Sequence, residues 1–232
     1  MCGICGIWNF GSDEPVDRSV IAAMSRRIHH RGPDEEGLHV EGPIGLGFRR
    51  LSIVDLAHSH QPMANADRSA WLVFNGEIYN FQELRKRLEQ RFRFQTSGDT
   101  ETLLHLLEDR GSAGLKDLVG MFAFAFWDPR QRTLLLAVDR FGKKPLYYSI
   151  QGGRIIFGSE LKVFREIRDL DLEPDPQALD EFLSSGFVNA PRSIFRGIRK
   201  VPPGHLLKID AKGAVEIQSY WAPHFAESSS FR

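Results

Sequence analysis

The sequence has few cysteines, no net charge and no long apolar run. Lysine plus arginine and aspartate plus glutamate number 30 each among the 232 residues, so no net charge favours nucleic acid or an anionic membrane. Two cysteines are too few for a disulfide scaffold in a chain of this size, which favours a reducing compartment. No apolar stretch is long enough to span a bilayer, and no secretory signal pattern stands at the first residues. We therefore expect a cytoplasmic protein that binds neither nucleic acid nor a membrane.

What is present is the composition of a globular protein with many phenylalanines. Hydrophobic residues make up 42 % and charged residues 26 % of the sequence, and a chain of this length can bury a sizeable core. Three of the 17 phenylalanines alternate at Phe122, Phe124 and Phe126, which predicts a half-buried strand.

The predicted strands mostly follow one another as hairpins, with helices between them. Strands are predicted at residues 4–10, 38–40 with 44–48, 71–74, 92–94, 122–126 with 134–138, 146–150 with 154–158, and in a hairpin at 205–221. Helices are predicted at residues 16–28 with Ser12 or Asp13 as the cap, 81–88, 97–110, 159–166 and 176–185. Strands joined by hairpins favour antiparallel sheets covered by helices, an α+β fold, over parallel βαβ units.

The first three residues, Met1-Cys2-Gly3, contain a candidate nucleophile. Removal of the initiator methionine would leave Cys2 with a thiol that attacks and a free α-amine, a group that titrates near neutrality, as its base. The alternative is that cysteine follows the initiator methionine by accident. These three residues alone favour the accident, and only the motifs between residues 30 and 160 reverse that preference.

Two further patterns are weak candidates for a metal, redox or phosphate site. Cys2 and Cys5 have the spacing of a zinc knuckle or redox pair, but no second pair of ligands follows. Gly142-Lys143-Lys144 lacks the preceding glycines of a phosphate-binding loop. We therefore expect no metal site, and we expect Cys5 to point into the core.

Seven motifs stand in the order seen in the glutaminase half of asparagine synthetases. They are Met1-Cys2-Gly3-Ile4, Arg31-Gly32-Pro33-Asp34, Arg50-Leu51-Ser52-Ile53-Val54-Asp55, Asn75-Gly76-Glu77-Ile78-Tyr79-Asn80, Gly98-Asp99-Thr100-Glu101, Phe122-Ala123-Phe124 and Asp139-Arg140-Phe141-Gly142-Lys143-Lys144-Pro145-Leu146-Tyr147. The sequence resembles these class II glutamine amidotransferases from residue 1 to about residue 221. The resemblance implies the N-terminal-nucleophile hydrolase fold, in which two antiparallel sheets lie between helical layers.

The resemblance also implies which residues attack the amide and stabilise the oxyanion. Cys2 resembles the family's nucleophile, and its own amine resembles the base. Asn75 and Gly76 resemble an oxyanion hole, with a side-chain amide donor beside a backbone N–H. Without the resemblance, the strand at 71–74 followed by Asn-Gly predicts a sharp turn with positive φ instead. We read Arg31-Gly32-Pro33-Asp34 as loop architecture near the site.

The two charged ends of glutamine have candidate partners in the same resemblance. Arg50 resembles the residue that binds the α-carboxylate, because a guanidinium suits that anion. Asp99, together with Glu77, resembles the acceptor for the α-ammonium group. In isolation Asp99 also reads as a helix start, and Arg50 and Glu77 as solvated charges. The resemblance assigns the last part of the pocket to backbone groups of Ile53 and Val54.

These residues imply hydrolysis of L-glutamine to glutamate and ammonia for an asparagine synthetase-type acceptor. The glutaminase half needs no cofactor, and ATP and magnesium are expected only for the synthetase half, whose Ser-Gly-Gly-x-Asp-Ser loop does not occur in this sequence. We place the glutaminase domain at residues 1–186 and a linker and hairpin at 187–232, with a frayed tail from about residue 223. The expected partners are L-glutamine, an ammonia-accepting synthetase domain and a second copy in a homodimer. Two alternatives stay open: a non-catalytic glutamine-sensing or docking module, and a glutaminase that serves another acceptor, such as a cell-envelope sugar intermediate.

Overall fold

The computed structural model describes residues 1–51 and 60–225. The strands are β1 (Gly3–Trp8), β2 (Glu35–Glu41), β3 (Ile44–Arg50), β4 (Met63–Ala64), β5 (Trp71–Ile78), β6 (Gly120–Asp128), β7 (Thr133–Val138), β8 (Tyr147–Gln151), β9 (Arg154–Gly158), β10 (Arg199–Lys200), β11 (His205–Asp210) and β12 (Val215–Ser219). The α-helices are α1 (Arg18–Arg27), α2 (Phe81–Leu88), α3 (Asp99–Arg110) and α4 (Pro176–Ser185). Short 3₁₀ helices span His29–Arg31, Gly111–Asp117 and Leu161–Glu166.

The strands form two antiparallel sheets. The first sheet has the order β10-β8-β9-β1-β3-β2, and the second has the order β12-β11-β7-β6-β5-β4. The longest pairings include β1 with β3 and β5 with β6, and both are antiparallel along their whole overlap. The prediction of antiparallel sheets is therefore confirmed.

Buried side chains divide the molecule into four layers. One cluster of apolar residues from both sheets, including Ile4, Val73 and Leu136, fills the space between them. A second cluster joins the outer face of the first sheet to α1 and the 3₁₀ helix at Leu161–Glu166. A third joins the outer face of the second sheet to α2 and α3. The resulting order of helices, sheet, sheet and helices confirms the predicted α+β sandwich.

The phenylalanine-rich strand β6 is buried on both faces, and the prediction of a half-buried strand is wrong. Phe122, Phe124 and Phe126 belong to the cluster under α2 and α3. The residues between them, Ala123 and Ala125, face the first sheet. The alternation distinguishes two buried faces here, because β6 lies in the middle of a sheet that is covered on both sides.

Three predicted elements near the helices differ from the structure. Helix α1 begins after Asp17, whose side chain accepts a hydrogen bond from Ser19 N at 2.7 Å, and not after Ser12 or Asp13. Residues 92–94 form no strand. The helix predicted at 159–166 is a 3₁₀ helix that begins at Leu161.

Strands from the last part of the described chain belong to these two sheets. The predicted hairpin forms as β11 and β12, and β11 also pairs with β7. Strand β10 pairs with β8. The predicted boundary at residue 186 therefore does not separate two hydrogen-bonded units. No helix in the described part of the chain is both long and apolar enough to cross a bilayer.

Candidate active site

Cys2 lies just before β1, where its thiol meets the end of β3. Leu51 N donates a hydrogen bond to Cys2 Sγ at 3.4 Å, and Sγ lies 3.7 Å from Leu51 O. The register of β1 on β3 pairs Gly3 with Arg49, which brings Cys2 beside Arg50. The half-buried Cys2 packs against the apolar cluster between the sheets. The candidate nucleophile thus lies at the edge of the inter-sheet layer.

Alternation along the strands directs four predicted site residues into this layer. Cys2 shares a strand face with Ile4 of the inter-sheet cluster, and Arg50 shares one with Phe48. Asn75 and Glu77 likewise share a face with Val73 of the same cluster. The structure therefore directs side chains that are up to 75 residues apart in sequence towards one layer.

The predicted turn at Asn75-Gly76 is wrong, because β5 runs straight through both residues. Asn75 pairs with Ala123 and Gly76 with Phe122 in β6. A Cβ atom on Gly76 would lie 2.3 Å from Met121 O and 2.7 Å from Phe122 Cα. Glycine is required here by the close approach of β6 and not by a positive φ.

Three backbone N–H groups point away from β6, along the open edge of β5. Phe122 N donates to Asp139 Oδ2 at 3.0 Å, and Phe122 O accepts from Asp139 N at 2.8 Å, so the Gly76–Phe122 pair is not hydrogen-bonded. Phe74 N, on the same edge, donates to Gln61 Oε1 at 2.6 Å, and Ile78 N donates to the Asp99 side chain at 2.9 Å.

Gly76 N–H lies between these two donors. Both of its neighbours along this edge are bonded to side chains, whereas Gly76 N has no hydrogen-bond acceptor among the described residues. The edge of β5 therefore presents a backbone donor in the middle of an otherwise satisfied row.

The Asn75 side chain supplies a second donor next to it. Asn75 is only 1 % exposed, and its Nδ2 has no acceptor among residues 1–51 and 60–225. Most buried side-chain donors in folded proteins are satisfied, so this one requires a reason. A backbone N–H and a side-chain amide on consecutive residues are the kind of donors that stabilise an oxyanion.

Asp99 begins α3 and is attached to β5. Its Oδ2 accepts the hydrogen bond from Ile78 N, two residues beyond Gly76. Burial raises the pKa of Asp99, and the nearby Glu77 carboxylate raises it further, against hydrogen bonds that lower it. A cation beside a carboxyl of raised pKa stabilises its charged form. Asp99 can therefore both begin the helix and accept the predicted α-ammonium group.

Arg50 is buried in the same layer and is only 4 % exposed. Its Nη1 lies 3.2 Å from Glu35 Oε2, and Glu35 Oε1 lies 2.5 Å from His60 Nδ1.

Arg49 points to the opposite face and bonds to Ser25 Oγ at 3.0 Å. The sequence analysis did not show that the two arginines lie in different environments. Strand alternation in the structure places them on opposite faces of β3. The predicted backbone contacts at 53 and 54 lie outside the described residues.

Arg31 is a site residue whose contact the sequence did not reveal. Its Nε donates to Cys2 O at 2.9 Å, and its Nη1 lies 3.0 Å from Glu160 Oε1. Its buried Nη2 has no acceptor in the described part of the chain. The signal available in the sequence was its place in the Arg31–Asp34 motif, which was interpreted as loop architecture.

Lys144 interacts electrostatically with candidate site residues of both sheets. Burial lowers the pKa of Lys144, and the Arg31 charge acts in the same direction. Cys2, Asp139 and Glu77 raise this pKa in opposition, so Lys144 lies within electrostatic reach of both Cys2 and Glu77. The sequence analysis considered this lysine only as part of a phosphate loop.

A buried carboxylate holds the Lys144 loop in place. The Asp139 side chain accepts hydrogen bonds from the backbone N–H groups of Phe122, Phe141, Lys143 and Lys144 at 3.0–3.1 Å. Because Phe122 is also the strand partner of Gly76, one side chain ties the loop to the candidate oxyanion hole.

Comparison with known proteins identifies the family to which this arrangement belongs. A family model described as a glutamine amidotransferase domain matches residues 1–221. The chain belongs to this family. Asparagine synthetase [glutamine-hydrolyzing] 1 of Bacillus subtilis (strain 168) is 37 % identical over an alignment of 228 positions, which covers 97 % of this chain and 36 % of that protein. A putative asparagine synthetase [glutamine-hydrolyzing] of Mycobacterium tuberculosis (strain ATCC 25618 / H37Rv) is 41 % identical over an alignment of 248 positions, which covers 97 % of this chain and 38 % of that protein.

This glutamine amidotransferase domain spans little more than a third of the length of those relatives. Two solved structures share its fold. One, titled as the allosteric regulatory enzyme of purine biosynthesis, has a TM-score of 0.70 at 23 % identity and covers 96 % of this chain and 50 % of its own. The other, glutamine phosphoribosylpyrophosphate amidotransferase from B. subtilis, has a TM-score of 0.68 at 22 % identity with the same coverage. They confirm the predicted fold, in which two antiparallel sheets lie between helical layers.

Proposed function

We propose that this domain hydrolyses L-glutamine to glutamate and ammonia, with Cys2 as an N-terminal nucleophile. The observation that carries the proposal is the pair of donors on β5, Asn75 Nδ2 and Gly76 N–H, which lack acceptors in the described chain. Asn75 faces the layer at whose edge the Cys2 thiol lies. A thiol near two such donors is the minimal arrangement for attack on an amide carbonyl.

The reaction then follows from these groups. After removal of Met1, the Cys2 amine takes the thiol proton, and Sγ attacks the side-chain amide carbon of glutamine. Asn75 Nδ2 and Gly76 N–H donate to the oxyanion. Collapse of this intermediate breaks the C–N bond while the amine returns its proton, which releases ammonia and leaves a γ-glutamyl thioester. Water attacks the thioester, the thiol leaves with a proton, and glutamate is released.

The charged ends of glutamine have partners in the same proposal. Asp99 and Glu77 accept hydrogen bonds from the α-ammonium group, which the raised pKa of Asp99 supports. Arg50 binds the α-carboxylate, and backbone groups of Ile53 and Val54 complete the pocket. The names of the relatives support an asparagine synthetase-type acceptor for the ammonia, on a partner domain that would use ATP and magnesium. The glutaminase reaction itself requires no cofactor.

The test is release of glutamate and ammonia from glutamine without ATP, by the untagged chain beside its Cys2→Ala variant. Intact mass of the same sample reports whether Met1 has been removed. We expect release by the processed chain and none by the variant. A folded, processed chain that binds glutamine without releasing ammonia would contradict the proposal and favour the sensing module.

A further inference from the structure

We propose that Glu101 is a positioning residue for recognition of the substrate α-ammonium group. It holds the loop of residues 95–98, which leads directly into Asp99, the proposed ammonium acceptor. The inference rests on the proposed function, since it concerns how that site discriminates glutamine from an analogue without the amine.

Glu101 makes its contacts outside its own helix. Its Oε1 accepts a hydrogen bond from Gln95 N at 2.8 Å, and its Oε2 accepts from Thr96 N at 2.6 Å and from Thr96 Oγ1 at 2.7 Å. A capping glutamate bonds to the cap residue at the start of its helix. Glu101 instead reaches back five and six residues, so its carboxylate organises the loop that precedes α3.

A buried histidine lies behind the Glu101 carboxylate at ion-pair distance. His105 Nε2 lies 3.7 Å from Glu101 Oε1, and both residues are 6 % exposed. The imidazole lies against the Phe92 ring, with centroids 4.6 Å apart, and against the edge of Phe94 at 4.9 Å. On its other side, His105 Nδ1 lies 2.7 Å from Glu108 Oε2. The ring therefore has little freedom, and Glu101 is anchored from behind while it bonds to the loop in front.

The loop and Asp99 form one unit between Glu101 and the edge of β5. Thr102 Oγ1 donates to Gly98 O at 3.3 Å, which fixes the last residue before the helix. The Asp99 side chain then accepts from Ile78 N beside Gly76. Displacement of residues 95–98 would move Asp99 relative to the donors of β5. A contact between a carboxylate and an ammonium group is sensitive to shifts of about 1 Å.

The experiment compares glutamine with glutaramate, which is glutamine without its α-amino group. Wild-type chain, Glu101→Gln and Asp99→Asn are assayed for kcat and KM with both substrates. The amide in Glu101→Gln offers one acceptor oxygen where the carboxylate offers two. We expect Glu101→Gln and Asp99→Asn to lower the preference for glutamine by about tenfold or more through KM. Hydrolysis of glutaramate should change by no more than about twofold, because it never uses Asp99.

The matched control is Glu108→Gln on the same helix. Glu108 also contacts His105 but accepts no backbone hydrogen bond from residues 95–98, so the preference for glutamine should stay at the wild-type value. Thr96→Val removes only the hydroxyl bond to Glu101, and it replaces Glu101→Gln in the test if that variant does not fold. It should also lower the preference for glutamine. Thermal melting establishes which variants are folded.

Two outcomes would overturn the inference and leave the proposed function intact. One is a folded Glu101→Gln or Thr96→Val variant that keeps the wild-type preference. The other is an equal loss with both substrates, which would show a role in general stability. A wild-type chain that neither hydrolyses nor, by calorimetry, binds glutamine would overturn the proposed function, and the inference with it.

Discussion

At the scale of single residues, two groups of the site lie in environments that do not favour them. The Asn75 amide is buried and has no acceptor for its Nδ2 within the described ranges. The pKa of Asp99 is raised chiefly by burial, so its charged form is disfavoured. Groups that are strained or unsatisfied without a ligand are common at functional sites, because bound substrate offsets the cost.

Replacing Asn75 with alanine should therefore separate activity from stability. We expect kcat for glutamine to fall by roughly 100- to 1,000-fold, the usual loss when one oxyanion donor is removed. The melting temperature should fall only moderately, because truncation leaves a small buried cavity but no hydrogen bond to a described residue is lost from Nδ2. Kinetics and thermal melts of the same preparation check both statements. A large drop in melting temperature with nearly unchanged kcat would contradict the assignment.

Replacing Asp99 with asparagine should stabilise the free protein at neutral pH while it weakens glutamine binding. A carboxyl whose pKa is raised in the folded state lowers the free energy of unfolding when it ionises. This loss begins near the ordinary pKa of about 3.9 and is complete above the raised pKa. Asparagine does not ionise and avoids this cost. The variant should melt higher than wild type near neutrality, and the difference should shrink near pH ~4.

Asp17→Asn is the control with the opposite sign. Hydrogen bonds from Ser19 hold the pKa of Asp17 below its ordinary value, so its charge stabilises the folded state at neutral pH. This variant should melt at or below the wild-type temperature there. An Asp99→Asn variant that also melts lower at neutral pH would contradict the sign of the argument.

At the scale of elements, β5 and α3 carry most of the candidate site. The open edge of β5 directs three N–H groups outward, towards Gln61, towards Asp99 and, from Gly76, towards no described acceptor. Helix α3 begins at Asp99 and contains the Glu101–His105 pair behind it. One strand edge and one helix start thus supply donors and acceptors on rigid backbone, which suits recognition of a small zwitterion.

The Glu101–His105 pair should give α3 a defined pH window of stability. Burial by itself lowers the pKa of His105, but Glu101 and Glu108 outweigh it and raise the pKa from 6.5 to about 9. Burial raises the pKa of Glu101, but the nearby His105 and the hydrogen bonds from Gln95 and Thr96 outweigh it and lower the pKa from 4.5 to about 2. The stabilisation is complete between pH 4.5 and 6.5, and it is lost as pH rises towards 9 or falls towards 2.

Thermal melts of the wild type and of His105→Gln test this window. Other groups titrate above neutrality as well, so the variant supplies the reference. We expect the melting temperature of the wild type to fall further than that of the variant between pH 6.5 and 9. Equal losses in the two proteins would show that His105 is not charged in the folded state.

At the scale of the whole molecule, the site depends on two sheets packed face to face. Cys2 and Arg50 come from the first sheet, and Asn75 and Glu77 come from the second. Strand β11, which follows residue 186, adds Leu207 to the core between these sheets. Residues far beyond the last candidate site residue therefore support the layer in which the chemistry is placed.

Truncation after residue 186 should abolish cooperative folding. It removes β10, β11 and β12, leaves β7 without a neighbour on one edge, and deletes the bond from Tyr220 Oη to Val138 O at 2.7 Å. Leu206, Leu207 and Ile209, each buried, would be missing from the cores. A chain ending at residue 225 should melt cooperatively, and the truncated chain should bind a hydrophobic dye without a sharp transition. A cooperative melt of the truncated chain would support a domain boundary at 186.

Local signals predicted those elements whose ends depend only on nearby residues. Gly186 ends α4 with φ +79°, and Gly111 follows α3 with φ +54°, as the glycines indicated. The Asn75-Gly76 pair failed in the same procedure. Its local preference for a turn was outweighed by pairing with β6, a contact between residues more than 40 positions apart in the sequence.

By itself, the sequence determined the family, the antiparallel sandwich and the candidate site residues, because motif order and alternation are written in the chain. Only the tertiary structure decided how those residues are used. The register of β1 on β3 places the thiol beside Arg50, and β6 with Asp139 leaves Gly76 N–H free of strand pairing. Packing also brought in Arg31 and Lys144, because contacts across sheets depend on three-dimensional closure that no local pattern encodes.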